Sequence, residues 1–207
     1  LLSTAYALPQ FIGTPILGRL SDRLGRKPLL VISLLGTVLS GIVAAITPMA
    51  WLLYVARIFD GLTGGNTSIA RAVVSDITTV EQRAKAFGIF GSVFRLGFVA
   101  GPALSYVAQQ LPTIKGVTSL GMSFIVGAGI ALFATILTIF FLPETLPAAD
   151  KQQFQLSWRD FGFIKVFQSV ARPKLGKLFV LTILCVNNYT IFTYEFQPFV
   201  LEVNKQD

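Results

Sequence analysis

The chain has 207 residues, of which 53% are hydrophobic and 13% charged, with a mean hydropathy of +0.68 and a net charge of +7. That balance excludes an ordinary soluble domain, and cations placed in loops beside apolar stretches exclude a nucleic-acid binder despite an isoelectric point near 9.8. With no histidine and one cysteine, Cys185, inside an apolar stretch, disulfides and the usual zinc sites are excluded, and neither a metal nor a cofactor is expected.

About 20 predominantly apolar residues are needed to cross a bilayer. Six stretches qualify: Leu1 to Leu17, Leu29 to Thr47, Leu52 to Val74, Ala84 to Ala108, Leu120 to Leu142 and Leu178 to Tyr194. The fold class expected is an all-α polytopic membrane protein with about six transmembrane helices. The first stretch has no basic leader and is interrupted by Pro9 and Pro15, which argues against a cleavable signal peptide. Four cations follow the first stretch, two (Arg83, Lys85) follow the third and six (Lys151, Arg159, Lys165, Arg172, Lys174, Lys177) follow the fifth. Lys115 alone lies in an alternate loop, so the basic loops are expected on the cytoplasmic side of a cell membrane.

Between the first two stretches runs GRLSDRLGRKP, Gly18 to Pro28, read as a short loop. Gly18 permits close helix approach, Gly25 tolerates the positive φ of a sharp turn, and Asp22 is an acid among Arg19, Arg23, Arg26 and Lys27. Setting topology alone would need the cations but neither the glycines nor Asp22.

The third stretch carries Arg57 and Asp60 well inside its apolar region, where charges are costly and usually face a water-filled cavity or a partner. At 100° per residue, Arg57, Gly61, Gly64, Ser68, Arg71 and Ser75 share a small, polar face suited to lining a cavity, with Asp60 about 60° aside. Asp60 is the candidate proton-carrying acid. A structural ion pair with Arg57 explains it equally well.

In the fourth stretch, GIFGSVFRLGFVAGP places Gly88, Gly97, Gly101 and Pro102 in order. Gly97 and Gly101 make a GxxxG face for helix contact, and Pro102 bends the helix. Arg95 lies roughly 15 Å from one end of its helix and Asp60 roughly 12 Å from the opposite end of its own, so their depths match. Arg95 is therefore expected to face the cavity, pairing with Asp60 or attracting an anionic substrate group.

The fifth stretch ends in LPETL, where Pro143 stops the helix and Glu144 is placed to pair with nearby cations; a plain helix terminus explains it equally well. Beyond it, 143–177 is the one long polar connection. Within it Ser157 and Asp160 offer a helix start, and Phe161, Ile164, Phe167 and Val170 recur at helical spacing, as in a surface-lying amphipathic helix or an ordinary linker helix. In the sixth stretch Asn187 and Asn188 form a polar patch for substrate or for each other.

GRLSDRLGRKP resembles the motif joining helices two and three of major facilitator superfamily transporters. In that family two six-helix halves, each of inverted three-helix repeats, rock about a site near the midplane. The resemblance implies that the six stretches are helices two to seven: 1–142 as the amino-terminal half without its first helix, 143–177 as the linker, and 178–207 as the start of the other half. It implies a gate of Gly18, Asp22, Arg23, Gly25, Arg26, Asp76 and Arg83. In it Asp22 would cap and pair with the opposite half, and Arg26 would pair with Asp76. Arg57 with its following glycines is similar to the helix-four motif of proton-coupled antiporters, and Gly88, Gly97, Gly101, Pro102 to the helix-five motif of exporters, although Ser105 and Tyr106 stand where that motif usually ends in glycines. The whole is most similar to tetracycline-type drug/proton antiporters, whose partners would be protons and a small hydrophobic substrate. Transport of sugars or other metabolites, and a non-transporting truncated membrane protein, are the alternatives; no catalytic group suggests an enzyme.

Overall fold

The structure is a computed structural model and describes residues 2–47, 49–114, 116–146, 180, 181 and 184. The chain divides into two units, Leu1–Gln155 and Leu156–Asp207. The described part of the first is all helix and loop: α1 (Leu2–Leu24), α2 (Arg26–Ile46), α3 (Ala50–Thr63), α4 (Asn66–Asp76), α5 (Val80–Gln110) and α6 (Ser119–Phe141). Residues 147–177 of the expected linker, most of the sixth stretch, Asn187 and Asn188 lie outside the described residues.

GRLSDRLGRKP is not a loop. α1 continues through it to Leu24 and α2 starts at Arg26, leaving Gly25 as the one residue between them. Hydropathy falls where a chain leaves hydrocarbon, but helical hydrogen bonds do not stop there, so the first stretch runs seven residues past Leu17. Gly25 makes the turn possible with φ 109° and ψ 153°, a region essentially confined to glycine. Its amide closes α1 by donating to the Ser21 carbonyl at 3.2 Å.

The expected third span is broken. α3 has 14 residues and α4 has 11, about 21 and 17 Å at the helical rise, so neither crosses a bilayer alone. Adjacent Gly64 and Gly65 interrupt the ladder: the Gly64 amide turns back to Gly61 O at 3.2 Å and the α4 bonds restart from Gly65 O. Glycine in a helix interior costs about 1 kcal/mol relative to alanine, and two together make the weakest point of the stretch. Both pieces pack against α1 and α2.

α2, α5 and α6 are each long and apolar enough to cross a membrane. α2 and α6 pack along the most extensive contact: a β-carbon on Gly41 would stand 3.0 Å from the Ala128 side chain, and one on Gly121 2.5 Å from the Ala45 carbonyl oxygen. Small residues let backbones approach this way, where lipid supplies no hydrophobic drive between helices. Thr118 starts α6 by accepting from the Gly121 amide at 3.1 Å. α5, with 31 residues, reaches about 46 Å. It touches α4 and α6 and is exposed along nearly all its length among the described residues. Buried Leu29, Leu30 and Ile69, with Leu17, Leu20, Leu34 and Leu142 around them, form the core cluster directly beneath the charged end of the bundle.

Candidate functional site

Two polar clusters stand out, one at the charged end and one deep among α1, α2, α3 and α6. The first is built on Arg26, the opening residue of α2. Its Nε lies 3.0 Å from Asp76 Oδ2 at the end of α4. Its Nη1 donates to Ser21 Oγ at 2.7 Å and pairs with Asp22, both on the last turns of α1. The Arg26 side chain is 10% exposed, against 26% for Asp76 and 42% for Asp22, so the guanidinium is shielded while both acids keep an edge toward solvent. A planar guanidinium suits this divided geometry, since separate nitrogens address separate helices.

The residues after α6 complete the cluster. Glu144 Oε1 accepts from the Arg26 backbone amide at 2.8 Å and from the Leu146 amide at 3.1 Å, while Thr145 Oγ1 donates to Asp76 Oδ2 at 3.3 Å. Glu144 thus meets a backbone group, and among the described residues it forms no ion pair. Arg83 is not in the ion-paired cluster either: its Nη2 donates to the Ser75 carbonyl at 3.5 Å, a cation at the carboxyl end of α4. Arg23 sits in the last turn of α1, half-buried. A methyl group at Gly18 would meet Ser68 Oγ at 3.6 Å, an ordinary contact, so close approach there does not demand glycine.

In the second cluster, Arg57 Nη1 lies 3.4 Å from Asp60 Oδ2 across one turn of α3. The Arg57 guanidinium also rests over the Phe124 ring of α6, 4.6 Å from its centroid, and Thr37 of α2 stands beside the Asp60 carboxylate. Side-chain exposures of 23% and 13% leave the pair largely out of solvent. Tyr6 of α1 closes the cluster, its hydroxyl lying over Gly64, and Gln10 Nε2 donates to the Gly64 carbonyl at 3.4 Å.

The small face predicted to line a cavity is instead covered by α1. Gly61 is buried against the Tyr6 carbonyl and Pro9, Gly65 against Leu17, and Ser68 Oγ reaches the Thr14 carbonyl at 3.4 Å. Small residues in a helical stripe serve cavity lining and backbone contact alike, and here the contact is made. Arg71 alone of that face is exposed, with its guanidinium 5.8 Å from the Phe90 ring centroid. The predicted pairing of Arg95 with Asp60 does not form, because Asp60 is held by Arg57. Arg95 is exposed on α5 and has no ion-pair partner among the described residues. A methyl group added at Gly88, Gly97 or Gly101 would find no described residue within 4 Å, so the predicted packing face of α5, which also carries Pro102, is not used among the described residues.

Sequence reasoning missed Ser21, Thr37, Tyr6, Phe124 and Thr145. Ser21 carried a signal, being the one uncharged polar side chain in its motif. Tyr6, Thr37 and Phe124 are single polar or aromatic residues in apolar helices, Thr145 lies in the segment after α6, and only tertiary contact distinguishes them.

A profile of the Major Facilitator Superfamily matches residues 1–203. The chain is 40% identical over 130 residues to the tetracycline resistance protein, class C, of Escherichia coli, covering 61% of this chain and 33% of that protein. It is 30% identical over 174 residues to multidrug resistance protein 2 of Bacillus subtilis (strain 168), covering 83% and 42%. The crystal structure of the human organic anion transporter MFSD10 (TETRAN) superposes with a TM-score of 0.68 at 30% identity, over 78% of this chain and 36% of that one. The chain spans about a third of the length of the tetracycline resistance proteins it matches.

Proposed function

The chain belongs to the major facilitator superfamily, and we propose that it forms part of a secondary active transporter that exports small hydrophobic compounds in exchange for protons. The observation that carries the reading is the Arg26 cluster, in which the ends of α1, α2 and α4 and the segment after α6 are joined through one guanidinium and its amide. Alternating access requires such a charged surface on the end of one half, built to meet the other half in one state and to part from it in the other. Gly18, Asp22, Arg23, Gly25, Arg26 and Asp76 compose the gate, with Arg83 steadying the end of α4. In this reading 1–142 is most of one half, 143–177 the linker and 178–207 the start of the other half. The basic loops face the cytoplasm.

Coupling to protons falls to Asp60 with Arg57. The pair is shielded, and neutralising the acid would free Arg57 and loosen α3 from α6 through Phe124. The substrate class is supported by the names of the tetracycline and multidrug resistance relatives. In everted vesicles carrying the full-length protein, an imposed proton gradient should drive accumulation of a hydrophobic dye. No gradient-dependent accumulation would refute the reading.

A second reading, transport of an organic anion, is favoured by the exposed Arg95 and by the name of the human transporter whose structure superposes. Competition of anionic against uncharged dyes separates the two.

A further inference from the structure

α2 starts without a side-chain cap of its own, since its N-cap residue, Gly25, has no side chain to offer. Of the first four residues Pro28 lacks an amide, so the donors without an intrahelical acceptor are those of Arg26, Lys27 and Leu29. One of these, the Arg26 amide, is satisfied from 118 residues away by Glu144 Oε1 at 2.8 Å. The same oxygen holds the Leu146 amide, so a single carboxylate ties the start of α2 to the segment after α6.

Gly25 is shaped for that acid. A β-carbon there would overlap Glu144 Oε2, would lie 2.9 Å from its Cδ, and would require φ 109°. The absent side chain therefore serves both the turn and the approach of the carboxylate. Charge favours the contact too, because the amino end of a helix carries partial positive charge. The next residue, Thr145, donates to Asp76, so consecutive residues bind the two members of the Arg26–Asp76 pair, one by its backbone and one by its carboxylate.

We propose that Glu144, from the segment after α6, supplies the capping carboxylate that Gly25 cannot, and that with Thr145 it positions Arg26 against Asp76. The rival role for Glu144 is an ion-pair partner of the surrounding cations. The cap needs an acceptor oxygen at position 144 and not a charge; the ion pair needs the charge. The consequence for transport rests on the gate reading above, whereas the cap itself does not.

Amide hydrogen exchange of the full-length protein in lipid nanodiscs, read by mass spectrometry over peptides spanning 24–30, tests the cap without reference to transport. Glu144→Ala should speed exchange in the first turn of α2 by about fivefold, the usual consequence of losing an N-cap. Glu144→Gln should keep the native protection, because its amide oxygen still accepts. Equal loss in both variants would make Glu144 an ion-pair residue, and unchanged exchange in Glu144→Ala would show that it caps nothing; either overturns the proposal. If Glu144→Ala does not insert, Glu144→Gln decides alone, with retained protection supporting the cap and faster exchange overturning it. Native exchange in a protein that moves no dye would count against the transport reading and leave the cap standing.

Discussion

Gly13 of α1 and Leu62 of α3 meet backbone to backbone: a β-carbon on Gly13 would stand 2.5 Å from the Leu62 carbonyl oxygen and 3.1 Å from its carbonyl carbon. Backbone cannot yield as a side-chain tip can, so Gly13→Ala should force α1 and α3 apart. We expect a loss of about 2 kcal/mol, of the kind overpacking produces. Gly127→Ala on α6, where no described residue lies within 4 Å of the new methyl, should be neutral or slightly stabilising. Thermal unfolding of the two variants in detergent checks the contrast. Equal effects would mean that the α1–α3 contact is looser than described.

Gly25→Ala combines an inaccessible backbone conformation with overlap on Glu144. The expected cost is about 1–3 kcal/mol, the range for a residue held in so sparsely populated a region. Gly18→Ala, only seven residues earlier in the same motif, should be tolerated because its methyl meets Ser68 at an ordinary distance. Expression and unfolding temperature of the pair provide the readout.

Arg26→Lys should fail to replace arginine. A lysine ammonium is a point charge and cannot address Asp76 from one nitrogen and Asp22 with Ser21 from another. Asp76→Asn should destabilise the native state by about 2 kcal/mol, less than for a fully buried pair because Asp22 still balances Arg26. Both variants should lower dye transport at least tenfold in everted vesicles. Native transport by either would remove the cluster from the gate.

Asp60→Asn keeps an acceptor for Arg57 but cannot carry a proton. Gradient-driven transport should be lost while exchange of dye at equal pH on both sides persists. Efflux with a normal pH dependence would remove Asp60 from coupling. Parallel destabilisation by Arg57→Gln and Asp60→Asn with coupling intact would mark the pair as structural.

The course of the first, second, fourth and fifth stretches was legible from hydropathy, because the bilayer imposes a length on every span. The errors came where hydropathy and hydrogen bonding part company. Residues 18–24 are polar yet helical, and 52–74 is apolar yet broken at Gly64 and Gly65. At the charged end, the pairing of Arg26 with Asp76 followed from a resemblance of motifs. The part of Glu144 was half visible, because its charge pointed to cations and only the fold shows the backbone amide it meets. Arg95 does not reach Asp60, because matched depth along two helices carries no information about azimuth. Asp60 had a nearer partner one turn away.

The one-residue link between α1 and α2 has a kinematic meaning. Successive Cα atoms are about 3.8 Å apart, so a connection of one residue has no slack to let one helix slide or swivel against the other. The adjoining ends of the two helices must then stay together whichever of them moves. The break between α3 and α4 is the natural compliant joint, where two glycines let one segment tilt while its neighbour stays seated. Stiffness and compliance are thus assigned to neighbouring stretches of the same chain by the number and placement of glycines.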